Sequence, residues 1–230
     1  MNICIIPARG GSKRIPRKNI KNFCGKPIIA YSIASALESK IFDHVIVSTD
    51  DDEIAKTSIK YGASVPFIRP ESLSDDYTTS IDVIEHTHSW VQENFGRVNL
   101  ICTLYATAPF TTSKDLINAY EVILKHQDCQ AVFPIVEFDF PIQRAIKLSD
   151  DGSIEMFQPE NLLTRSQDLE KAYHDAGQFY WMKSEFIGSG VSLFSDIART
   201  IKIPHYRVQD IDTNDDWIRA EFIFKAMNVS

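Results

Sequence analysis

Near its start the chain has an unbroken apolar run, residues 3–6, that leads directly into PARGGSKRIPRKNI. An apolar run without alternation is the pattern of a strand buried on both faces, which requires a sheet covered by helices on either side. The segment after such a strand emerges at the carboxyl edge of the sheet, where open α/β folds bind their ligands. In this chain that segment carries Gly10 and Gly11 among Arg9, Lys13, Arg14, Arg17, Lys18 and Lys21. The glycines are expected to take positive φ and turn their N–H groups inward, and the cations suit a polyphosphate. The spacing matches neither GxxxxGKS/T nor GxGxxG, so neither an ordinary P-loop nor a dinucleotide fingerprint is supported. The plainer alternative is a solvated basic loop between strand and helix.

The rest of the chain alternates in period. Strand-like runs fall at 2–7, 44–49, 65–68, 98–105, 130–136 and 177–182, with helical patterns at 27–38, 52–61, 80–94 and 113–125 and a closing helix at 214–227. Pro27 suits a first helical turn, Ser113 followed by Asp115 reads as a cap with an acidic first turn, and Gly62 stops the second helix. This succession predicts an α/β fold: a three-layer, Rossmann-like, mostly parallel sheet with helices on both faces. It is interrupted at about 137–175, where SDDGS reads as the turn of a hairpin followed by a polar, mixed segment. The organisation expected is one domain over 1–230 carrying an inserted lid or dimerisation element.

Composition narrows the partners. With 24 basic and 31 acidic residues the net charge is −7, which argues against nucleic acid or an anionic membrane and makes the N-terminal cations a local concentration. No apolar run approaches the ~20 residues of a membrane span, and a cytoplasmic location is expected. Cys4, Cys24, Cys102 and Cys129 form no CxxC, so reduced thiols are expected. His86 and His88 are two apart and fall on different helix faces, which disfavours a zinc pair.

Carboxylates recur where strands end. STDDDE at 48–53 lies at the same sheet edge as the basic loop and reads either as a helix cap, with Thr49 or Asp50 as N-cap, or as part of a site. In QDIDT at 209–213, an extended backbone would point Asp210 and Asp212 the same way, with Ile211 turned to the core. Two carboxylates can then share one hard cation; alternatively, Asp212 caps the last helix. A polyanion, lysines and a divalent ion together belong to phosphoryl or nucleotidyl transfer. Arg165 precedes AYHDAGQFYW, where its guanidinium can fork onto a carboxylate. Tyr173, Phe179, Tyr180 and Trp181 can wall a sugar face, with at least half of them packed in the core.

The set IPARGGSKRIPRKNI, STDDDEIA, RPESLSDD with Ser80, and DIDTNDD resembles, in order and over essentially the whole chain, the acylneuraminate cytidylyltransferases. The resemblance implies a fold of the nucleotide-diphospho-sugar transferase type and transfer of CMP from CTP to a nonulosonic acid. It further implies a homodimer whose inserted segments can reach the mate's sugar site. By matching position, Arg9, Gly11, Ser12, Lys13 and Lys18 would hold the phosphates and Asn19 would contact the nucleoside. Arg69 and Ser80 would read cytosine, and Asp210 and Asp212 would bind Mg²⁺. Tyr105, Arg165, Gln178 and Tyr180 would face the sugar acid, and Arg9, Lys18 and Asp212 would carry the catalysis.

Two departures bear on substrate. Family members that act on sialic acid have QPTSP where this chain has YATAP at 105–109, and NGAIY where it has DAGQFY at 175–180. A lysine expected in the insertion falls at Gln143 or Arg144. These forms look like the branch whose substrate is pseudaminic acid, a bacterial 5,7-diamino nonulosonic acid; N-acetylneuraminate or a legionaminate-type sugar is the runner-up. Two other classes remain: a Rossmann oxidoreductase, disfavoured by the absent GxGxxG, and a noncatalytic CTP-binding module, disfavoured by the paired aspartates.

Overall fold

The computed structural model describes residues 1–75 and 77–227. In chain order the elements are β1 (Asn2–Pro7), β2 (Asn22–Phe23), β3 (Lys26–Pro27), α1 (Ile29–Ser39), β4 (His44–Ser48), α2 (Asp52–Lys60), α3 (Ser80–Phe95), β5 (Leu100–Leu104) and α4 (Ser113–Lys125). They continue with β6 (Ala131–Glu137), β7 (Ile146–Leu148), β8 (Ile154–Met156), β9 (Tyr173–Asp175), β10 (Phe179–Lys183), β11 (Ala198–Lys202) and α5 (Asn214–Met227). The main sheet has the order β11-β6-β10-β5-β1-β4, with β9 also paired to β6. β1 runs parallel to β4 and β5, and β11 parallel to β6; β10 runs antiparallel to both β5 and β6, and β9 antiparallel to β6. All sheet strands except β9 and β10 therefore point the same way. The fold is α/β with a mixed, mostly parallel sheet.

The apolar run of β1 splits between the two faces. Cys4 and Ile6 pack with Ile29 and Ile33 of α1 and Leu116 and Ala119 of α4, while Ile3 and Ile5 pack with Ile84 and Val91 of α3. Alternate side chains point to opposite faces, so an uninterrupted run is what a strand between two helical layers needs. A third cluster joins Ile15 and Phe23 to Ile211, Trp217 and Ala220, and so docks the N-terminal loop against α5.

Several local expectations are corrected. The 65–68 run forms no strand; only Ser64 bridges to Ile46, because Pro66 has no N–H for a ladder. Pro27 lies in β3 opposite Asn22, and α1 starts two residues later. The cap of α4 is Thr112, whose hydroxyl and Asp115 form a reciprocal capping box. Gly62, at φ +96°, follows α2 as expected. β9 and β11, which fall outside the strand-like runs of the sequence, complete the sheet. Pro134 sits inside β6 where the pairing with β10 has ended and that with β9 has not begun, so its missing N–H costs no ladder bond.

The interruption does form a hairpin. β7 pairs with β8, the Ser149 N–H donates to Ser153 O at 2.9 Å, and Asp151 accepts from the Ser153 hydroxyl. Its apolar residues are left outside: Phe140, Leu148, Ile154, Phe157, Leu162 and Leu163 are all exposed. Cys4, Cys24, Cys102 and Cys129 are free thiols. Among the described residues no helix is long and apolar enough to cross a membrane.

Candidate active site

A cleft of about 520 Å³ opens at the carboxyl edge of β1, β4 and β5. The strand order places three separate segments at its rim: the loop after β1, the loop leading into the N-terminus of α3, and residues 105–107 after β5. Because β10 is antiparallel, its amino end reaches the same edge, where the Tyr105 N–H donates to Gln178 O at 2.9 Å.

The loop after β1 is held by the acidic end of β4. Gly10 N–H donates to Asp50 Oδ1 at 2.9 Å, and a Cβ at residue 10 would meet Asp51 Oδ2 at 2.9 Å, so only glycine fits there. The expected positive φ is not found at Gly10 or Gly11. Close approach to Asp51, not left-handed backbone, demands Gly10, and Gly11 stands exposed in open space. Arg17, itself at φ +57°, forks onto Asp51 at 2.5 and 2.8 Å and reaches Glu53 at 2.5 Å. Asp51 also caps α2, accepting from the N–H groups of Glu53 and Ile54 at 2.9 Å. The cap falls one residue beyond Asp50, and one carboxylate both caps the helix and holds the loop. The Arg17 hydrogen bond holds the Asp51 carboxyl down to about 2.

Arg69 lies under the cleft, 4% exposed, with Asp50 at 3.7 Å and the Ser74 hydroxyl at 3.3 Å. Burial lowers its pKa, opposed by the Asp50 charge. Asn19 is buried and donates to Arg9 O at 2.9 Å, fixing the inner side of the loop; Arg9 Nη1 crosses to Asp75 O at 2.9 Å. Arg9, Ser12, Lys13, Lys18, Asn19, Arg69, Ser80 and Tyr105 all line the cleft, whereas Gly11 does not. Ser80 is the first residue of α3, whose N-terminal turn is closed by a Thr79–Asp82 capping box. Asp76, the last residue of RPESLSDD, lies outside the described residues.

Asp210 and Asp212 flank Ile211, which is buried as the sequence implies. The capping of α5 is done by Thr213 and Asp216: the Thr213 N–H donates to the Asp216 carboxylate at 2.8 Å and the Asp216 N–H to the Thr213 hydroxyl at 3.2 Å. Asp212 is thereby left to face cations: Arg14 at 2.8 Å and Lys18 at 3.3 Å. Lys18 Nζ also donates to Ile211 O at 2.8 Å. The Asp210 pKa is raised by burial and then by the Asp212 charge. A carboxylate already drawn to loop cations, with a second one two residues away whose ionisation it disfavours, fits a hard divalent ion. Among the described residues no group of three such ligands forms, so phosphate or water oxygens would have to complete its coordination.

The remaining sugar-side residues divide. Tyr180 stands beside Tyr105, ring centroids 5.7 Å apart, and its hydroxyl donates to Asp175 at 2.5 Å. Gln178 is 3% exposed, its amide consumed by the Thr111 hydroxyl at 3.0 Å and Arg207 O at 2.6 Å. Arg165 sits on the insertion, paired with Asp168 at 2.6 Å and away from the cleft. Phe179 and Trp181 are fully buried, leaving Tyr173 and Tyr180 of the four aromatics half-exposed. Sequence reasoning did not pair Arg14 with Asp212, and it read SDDYTTSID at 74–82 as hydroxyls that cap the next helix or face a ligand; in the structure Asp75, Thr78 and Thr79 line the cleft, and Thr79 also caps α3.

A family model described as Cytidylyltransferase matches residues 3–217. The chain is 44% identical to the pseudaminic acid cytidylyltransferase of Campylobacter jejuni subsp. jejuni serotype O:2, over 100% of this chain and 98% of that protein. It is 37% identical to N-acylneuraminate cytidylyltransferase A of Danio rerio, over 94% of this chain and 49% of that protein. Among solved structures, CMP:2-keto-3-deoxy-manno-octonic acid synthetase complexed with CTP superposes with a TM-score of 0.72 at 15% identity, over 98% of this chain and 99% of that one. That likeness is one of fold.

Proposed function

The chain belongs to the cytidylyltransferase family and is a nucleotidyltransferase; on that premise we propose that it transfers CMP from CTP to the anomeric hydroxyl of pseudaminic acid, releasing pyrophosphate. The observation that carries this reading is a cleft lined by the cationic loop after β1, two of whose cations, Arg14 and Lys18, pair with Asp212; neither Asp212 nor Asp210 lines the cleft itself. Arg9, Ser12, Lys13 and Lys18 hold the triphosphate, Asn19 the nucleoside, and Arg69 and Ser80 the base. Tyr105 and Tyr180 form the sugar-side wall. Asp210 and Asp212 would hold Mg²⁺, which when bound screens phosphate charge and lowers the pKa of a coordinated hydroxyl.

The chemistry is an in-line displacement at the α-phosphorus: the sugar's 2-hydroxyl forms the new P–O bond as the bond to pyrophosphate breaks. Arg9 and Lys18 stabilise the charge gathering on the leaving group, where fixed cations in a partly desolvated cleft act more strongly than in water. Asp212, which pairs with Lys18, is the candidate to take the hydroxyl proton.

Substrate identity is supported by the full-length likeness to a pseudaminic acid enzyme and by Tyr105, a phenol that offers a different hydrogen-bond pattern from an amide. A coupled pyrophosphate-release assay with CTP tests it. Pseudaminic acid is expected to exceed N-acetylneuraminic acid in kcat/KM by at least ~10²-fold, within the range that unpaired site groups impose on a wrong substrate. Equal efficiencies, or preference for neuraminate, would overturn the substrate assignment and leave the CTP chemistry standing.

A further inference from the structure

Residues 208–213, which carry Asp210 and Asp212, belong to no strand or helix. Carboxylates on an irregular segment keep one geometry only if contacts from outside the segment impose it. At the far end Thr213 is fixed to Asp216 of α5, and Lys18 donates to Ile211 O. At the near end the fixed point is Arg207, three residues before Asp210. Its guanidinium forks onto Asp115 at 2.5 and 2.9 Å, with the two side chains 14% and 7% exposed. Asp115 is itself immobilised as the capping-box residue of α4, accepting from the Thr112 N–H at 3.0 Å and the Thr112 hydroxyl at 2.6 Å.

Gln178 joins this anchor to the sugar side of the cleft. Its backbone carbonyl accepts from the Tyr105 N–H at 2.9 Å, its side-chain carbonyl from the Thr111 hydroxyl at 3.0 Å, and its amide nitrogen donates to Arg207 O at 2.6 Å. One residue therefore holds the backbone of Tyr105 and that of Arg207 together. Desolvation offsets much of the attraction in a buried ion pair, so what the fork adds is direction. A planar guanidinium on a carboxylate fixes angle as well as distance, whereas an ammonium makes only a point contact.

We infer that Arg207 is a positioning residue for the two aspartates: clamped by Asp115 and Gln178, it sets the segment carrying Asp210 and Asp212 relative to the Tyr105 wall, and touches no substrate itself. Gln178 belongs to this bracket and not to the sugar contacts. The inference rests on the reading of Asp210 and Asp212 as a divalent-metal pair.

Two measurements on Arg207→Lys and Gln178→Met test it: Mn²⁺ titrated into the substrate-free protein and followed by electron paramagnetic resonance, and steady-state kinetics with Mg²⁺, CTP and pseudaminic acid. Arg207→Lys keeps the charge and loses the fork. It is expected to weaken Mn²⁺ binding by about tenfold, the cost of one misplaced contact, and to lower kcat, with KM for CTP unchanged at saturating metal. Gln178→Met is expected to move the same two quantities in the same direction. It leaves the ion pair intact, so the test survives should Arg207→Lys fold poorly. In an Asp212→Asn background Arg207→Lys is expected to weaken Mn²⁺ binding by about twofold or less, because it acts through a carboxylate already removed. A folded Arg207→Lys with wild-type Mn²⁺ affinity and kcat would make the pair purely structural and overturn the inference. So would effects that add in full to those of Asp212→Asn, or a Gln178→Met that raises KM for the sugar acid and leaves Mn²⁺ binding unchanged. The Mn²⁺ titration uses no sugar, so it reads the inference whichever sugar acid is activated. A wild type that neither binds Mn²⁺ nor needs a divalent ion would overturn the metal reading and this inference with it.

Discussion

Lys18 and Asp212 come from opposite ends of the chain, and their contact ties the basic loop to the segment before α5. From sequence Lys18 looks like a solvated loop lysine whose loss should spare stability. In the fold its side chain is only 21% exposed and donates to Ile211 O, so it also pins the acidic segment. Lys18→Ala is therefore expected to lower turnover by ~10²-fold, as loss of one preorganised charge contact does, and to cost about 1 kcal/mol of stability besides. Steady-state kinetics and urea melts separate the two; full activity in the folded fraction would remove Lys18 from the catalytic set. At the other end of the loop, the Arg17 fork lowers Asp51 from 3.8 to about 2. A depressed carboxylate pKa stabilises the fold above its unfolded value and loses that contribution as pH falls through the folded one. The stability gap between wild type and Asp51→Asn should be full at neutral pH, shrink below 3.8 and close near 2, read from urea melts across that range.

Among the elements, the β7–β8 hairpin and the turns around it are the part of the chain least able to stand alone. A two-stranded hairpin is marginal in water, and here Ile146, Leu148, Ile154 and Phe157 lie exposed on it, with Phe140 at 82% and Leu163 at 93% exposure nearby. This is the physical basis for proposing that 137–175 pairs with a second copy. A two-fold contact would cover the apolar surface on both partners at once. Light scattering at micromolar concentration should show a dimer for the wild type and a monomer for Phe157→Glu. A monodisperse wild-type monomer would leave the hairpin without that role.

Across the molecule the charge is uneven: a chain of net charge −7 gathers Arg9, Lys13, Arg14, Arg17, Lys18 and Lys21 after one strand and sets Asp212 against two of them. That arrangement favours a polyanion bound together with a divalent ion. CTP with Mg²⁺, at about 100 times its dissociation constant, should stabilise the fold by about 2.7 kcal/mol, a rise of several degrees in the thermal midpoint for a domain of this size. Asp212→Asn should lose the Mg²⁺-dependent part of that rise and at least ~10²-fold in turnover. A variant that keeps both would displace Asp212 from the metal site.

Residue order alone specified the buried strands and the helices that cover them. β1, β4, β5, α2, α3, α4 and α5 lie within a few residues of where apolar periodicity puts them, because burial on one face or two leaves a period in the chain. It also placed the cationic loop at a ligand-binding edge, since a strand with two buried faces leaves only its ends open. Contacts made across the fold settled the rest. β11 is an edge strand carrying Arg199 and Lys202, with too little burial to leave a period, and the antiparallel sense of β10 has no signature in a pattern that records faces and not directions. The division of labour among the acidic residues was likewise invisible: Thr213 and Asp216 cap α5 and free Asp212, and Asp51 caps α2 while Asp50 holds Gly10. Each depends on which groups meet once the chain has folded. Tyr105, Asp175 and Tyr180 share one wall only because β10 inserts beside β5 in reverse, and that pairing is a property of the sheet.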